Sequence, residues 1–198
     1  MKLLLSAFFL LELCSLTYAA ESVVRGGRSS DRSYEVRLVS DSSDSEYDFA
    51  IYDIHLNKEL LRLDDVGGYD SYKQAQDDSE ALWSSSGDFV VITDRYSRHD
   101  TTIYIVRVSK KSSRILKIQD YIQNALGRVN ATEIDGRCSS NVARWENNDL
   151  HVILDFGIKI PSGRAIYECE AVLRCNENDS FARLIKVSKP ELVTPSDS

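Results

Sequence analysis

The sequence predicts an all-β protein made of four-stranded antiparallel meanders with one short helix, and three observations predict it. Apolar residues recur at period two along most of residues 33–188, as in "SYEVRLVS", where Tyr34, Val36 and Leu38 share a face. Short turn-forming runs such as "DSSDSE", "KKSS" and "RCNEND" separate the apolar runs. A tryptophan-bearing hairpin also recurs. "ALWSSSGDFVVITD" has a counterpart in "ARWENNDLHVILDF" 62 residues later, with Trp145 matching Trp83 and Asp149 matching Asp88.

The elements follow in order. Residues 1–19 are expected to be a secretory signal peptide, with Lys2, an apolar run and small residues up to Ala19. That run is shorter than the roughly 20 apolar residues a membrane span needs. Bulky Leu13 before Cys14 argues against a lipid anchor at that cysteine. Residues 20–32 are polar and glycine-containing and read as a flexible leader. Strands are expected at "SYEVRLVS", "YDFAIYDI", "ELLRLDD", "DFVVITD", "TTIYIVRVS", "SRILKIQ", "LHVILDF", "RAIYECEAVL" and "FARLIKVS". "DFVVITD" is almost continuously apolar, which suits a strand buried on both faces. "LHVILDF" puts Leu150, Val152, Leu154 and Phe156 on one face. "DYIQNALG", residues 120–127, reads as the helix, ending at a glycine. "SYKQAQDDSE" is a weaker helical turn, and residues 189–198 read as a flexible tail.

A second marker extends the repeat. Ile51-Tyr52, Ile103-Tyr104 and Ile166-Tyr167 each sit in an apolar strand followed by a turn and another apolar strand. The chain therefore divides into a half unit at 46–64 and full units at 80–118 and 141–188, within a single β domain at 33–188. "WSSSGDFVVIT", followed by "IYIVRV" and "SRILKI", resembles a β-propeller blade of the TolB-like or WD-repeat type. Two and a half units are fewer than the four a propeller needs to close. The resemblance therefore implies blade-like meanders packed as an incomplete propeller or a sandwich.

Composition narrows the partners. A net charge of −7 argues against nucleic acid and anionic membranes and is compatible with a basic partner. Removal of the signal peptide leaves Cys138, Cys169 and Cys175, an odd number in an oxidising compartment. Cys169 and Cys175 lie six residues apart on one expected strand, roughly 20 Å, too far for a disulfide. The meander register favours a Cys138–Cys169 bridge over Cys138–Cys175, leaving Cys175 free.

The richest polar stretch is Thr93–Asp100, "TDRYSRHD", at one end of a sheet. There Tyr96 offers a stacking face, Arg95 and Arg98 anion contacts, and His99 with Asp100 an acid/base pair. A second stretch, "DDVGGYDSYKQAQDDSE", clusters carboxylates without calcium-loop spacing and reads as an acidic linker. No nucleophile elbow, phosphate loop, dinucleotide fingerprint or histidine metal spacing is present in the sequence, and no cofactor or metal is expected. A Cys138–His151 pair is the one nucleophilic arrangement the sequence leaves open. The expected function is a secreted or periplasmic non-enzymatic binding module that engages a protein or small molecule through a loop end. The alternatives are a secreted hydrolase or an acidic inhibitor of a basic secreted enzyme.

Overall fold

The structure, a computed structural model, describes residues 20–40, 47–64, 72–95, 97 and 100–193. The signal-peptide reading of residues 1–19 lies outside them. Thirteen strands form one sheet that breaks naturally into three four-stranded antiparallel meanders. The first is β1 (Ala20–Arg28), β2 (Tyr34–Ser40), β3 (Asp48–Asp53) and β4 (Lys58–Leu63). The second is β5 (Ser79–Trp83), β6 (Phe89–Asp94), β7 (Asp100–Arg107) and β8 (Arg114–Ile118). The third is β9 (Cys138–Glu146), β10 (Asp149–Ile160), β11 (Gly163–Cys175) and β12 (Phe181–Val187). Helix α1 (Tyr72–Asp78) leads into the second meander and α2 (Tyr121–Arg128) into the third. None of the described helices is long and apolar enough to cross a membrane.

Two expectations are corrected here. Residues 20–28, expected as part of a flexible leader, are strand β1, so the half unit is a complete meander. In the expected tail, Glu191–Val193 form β13, which pairs with β11. The predicted helix is present as α2, capped by Asp120, whose side chain accepts from the Gln123 N–H. The weaker helical turn is α1, anchored by fully buried Ala75.

Parallel contacts join the meanders. Arg25 of β1 pairs with Glu80 of β5, Phe181 and Ala182 of β12 with Lys117 and Ile118 of β8, and Asp100 and Thr101 of β7 with Cys138 and Ser139 of β9. The last contact brings the path β7-β8-β12-β11-β10-β9 back on itself as a partial ring. Inside it, Phe89, Val91, Ile103 and Ile105 meet Leu150, Val152, Leu154 and Phe156, with Tyr121, Ala125 and Leu126 of α2 joining the cluster. The opposite face of the second meander, through Val90, Ile92 and Val106, packs against Val36, Leu38, Phe49 and Ile51 of the first. Strand β6 thus sends alternate residues into two cores, which is why its sequence is continuously apolar.

The hairpin repeat is geometric as well as sequential. The Trp83 indole N–H donates to Gly27 O at 2.9 Å, and its ring stacks on Tyr34 with centroids 6.2 Å apart. The Trp145 N–H donates to Leu82 O at 3.0 Å, and its ring stacks on Phe89, also at 6.2 Å. Gly27 and Leu82, and Tyr34 and Phe89, are each 55 positions apart. The turns agree at the same offset. Ser29 N–H donates to Tyr34 O and Ser84 N–H to Phe89 O, both at 2.9 Å. The left-handed position is Arg32 in one turn and Gly87 in the other, at φ 56° and 77°. The third turn is two residues shorter, since Trp145 pairs with Leu150 where Trp83 pairs with Val90, and its left-handed residue is Asn147, at φ 54°. Ile51-Tyr52, Ile103-Tyr104 and Ile166-Tyr167 each lie in the third strand of their meander.

Candidate binding cleft

The two polar stretches that stand apart in the sequence converge at one end of the second meander. Helix α1 runs without a loop into β5, so Asp77 and Asp78 at its last turn sit beside Glu80 on β5. Neither helix-end carboxylate is balanced by a basic residue in that turn. Acidic groups at a helix C-terminus meet the negative end of the backbone dipoles, so the potential there is more negative than the side chains alone would make it. The end of β6 closes on this point through the Arg95 N–H, which donates to Asp78 O at 3.4 Å.

From the neighbouring meanders come Arg25 of β1, which holds Glu80 at 2.5 Å, and Asn141 of β9. Together with Thr93 and Thr101 these residues line a cleft of about 80 Å³. Asp77, Asp78 and Glu80 share this lining with Arg25 and Arg95, and of the two arginines it is Arg25 that pairs with a carboxylate, that of Glu80. The volume is far below the roughly 300 Å³ at which pockets for drug-sized ligands begin. It is enough for a few waters or the tip of one charged side chain. Among the described residues no group of three or more histidine, cysteine or acidic side chains is arranged to hold a metal ion.

The residues singled out in the sequence divide as follows. Arg95 lines the cleft. Asp100 instead holds the turn, accepting from Ser97 Oγ at 2.7 Å, and starts the β7 pairing with Cys138. Tyr96, Arg98 and His99 lie outside the described residues. Arg25 and Asn141 are cleft residues that the sequence reading missed. Arg25 lies in the expected leader, and Asn141 lies on β9 of the third meander.

The cysteines are corrected. Cys138, Cys169 and Cys175 are all free thiols. Cys138 pairs with Phe156 and Cys169 with Leu154, so β10 stands between them. Two strand spacings put their Cα atoms roughly 10 Å apart laterally, before the two-residue offset is added. A disulfide needs about 4.4–6.8 Å. The register argument had matched their levels along the strands but not closed that lateral gap. Burial raises the Cys138 thiol to about 11, with the charges of Asp100 and Asp155 adding to it. Burial likewise raises Cys169 to about 11 and Cys175 to about 12. All three remain protonated at neutral pH, the opposite of an activated nucleophile. The Cys138–His151 pair is not assembled either. Cys138 is level with Phe156, five residues along β10 from His151, and an odd separation places the two on opposite faces.

His151 has a different role. On the outer face of the third meander its Nδ1 lies 2.8 Å from Glu170 Oε1 and its Nε2 3.4 Å from Glu146 Oε2. Arg144 reaches both glutamates. The hydrogen bond from His151, more than any other contact, holds Glu170 below the ordinary glutamate value of 4.5. A carboxylate depressed in the folded state adds stability that is complete above its unfolded value and fades as pH falls through the folded one. His151→Gln is therefore expected to lower unfolding stability by about 1–2 kcal/mol at pH 7, with the deficit shrinking below pH 4.5. Urea unfolding of both proteins across that range checks it, and a deficit independent of pH would show that the Glu170 contact does not carry the effect.

No protein-family profile matches this chain, and no curated protein matches it.

Proposed function

We propose that this chain is a secreted or periplasmic binding module that acts without catalysis, capturing a basic protein by one of its lysine or arginine side chains. The observation that carries this reading is the convergence of Asp77, Asp78 and Glu80, at a helix C-terminus, in a cleft the size of a side-chain tip. The chain's net charge of −7 favours the approach of a basic partner by the same sign of field. Arg25 orients the Glu80 carboxylate, and Arg95 lines the opening. In this reading the three meanders are blade-like repeats of an open propeller-like stack, supported by the equivalent contacts of Trp83 and Trp145, whose partners share one offset. Binding loops then gather at one end of a rigid β scaffold.

An NMR titration of ¹⁵N-labelled protein with a short lysine- and arginine-containing peptide tests it. Saturable shifts are expected at Asp77, Asp78, Glu80 and Thr93. They should fall by about tenfold in affinity with added salt and disappear in Asp77→Lys/Asp78→Lys. Shifts centred elsewhere, or a response that survives the double reversal, would refute this cleft as the binding site.

A further inference from the structure

The β7–β8 hairpin carries an arrangement that the acidic cleft does not explain. Its register places Arg107 directly opposite Arg114. Both share the face of Ile105 and Leu116, so they stand at the mouth of the core enclosed by the partial ring. Like charges directly opposite on adjacent strands destabilise a sheet.

Neither arginine makes an ion pair among the described residues. The Arg107 side chain makes no ion pair or hydrogen bond among the described residues, and its Nε is buried without a partner. Arg114 Nε is in the same state, while Arg114 Nη2 donates to the backbone oxygens of Glu177 and Asp179 at 3.0 and 2.9 Å. Those bonds tie the hairpin to the β11–β12 turn and supply no negative side chain. Two of the acids close to that turn are already engaged, and Glu177, exposed on the turn, meets Arg114 only through its backbone oxygen. Asp149 takes Arg174 in a two-pronged pair with both bonds at 2.8 Å, and Asp179 takes Arg183 at 3.1 Å. Lys110 and Lys111 stand exposed on the hairpin turn and add positive charge. A protein with net charge −7 thus gathers at one corner four cations that make no ion pair among the described residues, two of them with buried unmet donors.

We propose that Arg107 and Arg114 form a binding site for a tetrahedral oxyanion, a phosphate or sulfate group. A guanidinium presents N–H donors in a planar fork that matches two oxygens of such an anion, and two opposed forks bracket one. Arg107 is only part-buried, so turning its last side-chain torsion aims its unmet Nε–H at an anion seated between the hairpin turn and the 176–180 turn, beside the Arg114 guanidinium. The anion also removes the repulsion between the paired arginines.

Calorimetric titration of the full chain with sodium phosphate and sodium sulfate, at ionic strength held constant with chloride, tests it. Saturable binding is expected, weakened at least about tenfold in Arg107→Gln and Arg114→Gln and by less in Lys110→Gln/Lys111→Gln. Arg107→Lys keeps the charge and guards against a folding defect, and it should still lose most of the affinity because a lysine cannot form the fork. No saturable heat in the parent protein, or full affinity in Arg107→Lys, overturns the proposal. A sugar phosphate and a sulfated disaccharide form the second arm. Tighter binding than inorganic phosphate or sulfate identifies a group carried on a larger molecule, and equal or weaker binding identifies the free ion.

Discussion

Phe89→Ala is expected to cost about 3–5 kcal/mol of folding stability. Phe89 is fully buried and begins β6, where the second and third meanders meet. Its ring stacks on Trp145 with an interplanar angle of 28°, and its backbone is fixed on both sides by Ser84. Truncation leaves a cavity in the core that the two meanders share, among side chains already fixed by their own strands, so little collapse can fill it. It also strips Trp145 of its stacking partner, worth about 0.5–1.5 kcal/mol beyond area alone. Tyr34→Ala removes the equivalent partner from Trp83, but Tyr34 is only half-buried and its loss should be the smaller of the two. Urea unfolding with an unchanged slope measures both. A loss below about 1 kcal/mol for Phe89→Ala would mean that the aromatic pair does not hold the two meanders together.

That contact also explains how much of the fold could be read from the sequence. The second and third meanders announce themselves because each has a tryptophan that must bury against the unit before it. The first meander carries no tryptophan in its first hairpin. Arg28 occupies the matching position, with its side chain 64% exposed and paired to Glu35, so the aromatic marker is missing and β1 reads as polar leader. The matching serines, Ser29 and Ser84, were legible at the offset of 55, but without a tryptophan nothing called for the comparison. The strand alternation of β10 and β6 was legible because burial on one face or two writes itself directly into period-two patterns. The cleft was legible only in pieces. The Thr93–Asp100 end and the acidic stretch are each visible as polar sequence. Their convergence depends on α1 running straight into β5, and the roles of Arg25 and Asn141 on lateral pairing between units, which no local pattern encodes. The cysteines failed for the same reason. Level along a strand follows from counting residues, but lateral distance follows from sheet order.

Gly26→Ala, a change that a flexible leader would absorb silently, is expected to cost 3 kcal/mol or more, roughly the scale of a backbone collision in a core. Gly26 sits in β1 at φ +68°, where a residue with a Cβ is strained by about 1–2 kcal/mol. An added Cβ would meet Ala81 O at 2.3 Å, and that oxygen belongs to the backbone of β5, so no side chain can swing away to relieve it. Relief requires β1 to move off β5. That movement breaks the Arg25–Glu80 contact, withdraws Gly27 O from Trp83 and lifts Val24 out of the core between the first two meanders. Stability and the cleft are coupled here, so the variant should also lose the peptide-induced shifts at Glu80 and Thr93. Gly127→Ala serves as the control. Gly127 lies in α2 with nothing within 4 Å of an added Cβ, and alanine there should stabilise by up to about 1 kcal/mol through helix propensity. Thermal and urea unfolding of the two variants beside the parent protein separate the cases. If Gly26→Ala unfolds with the same midpoint as the parent, β1 is not packed against β5, and the first meander does not support the cleft.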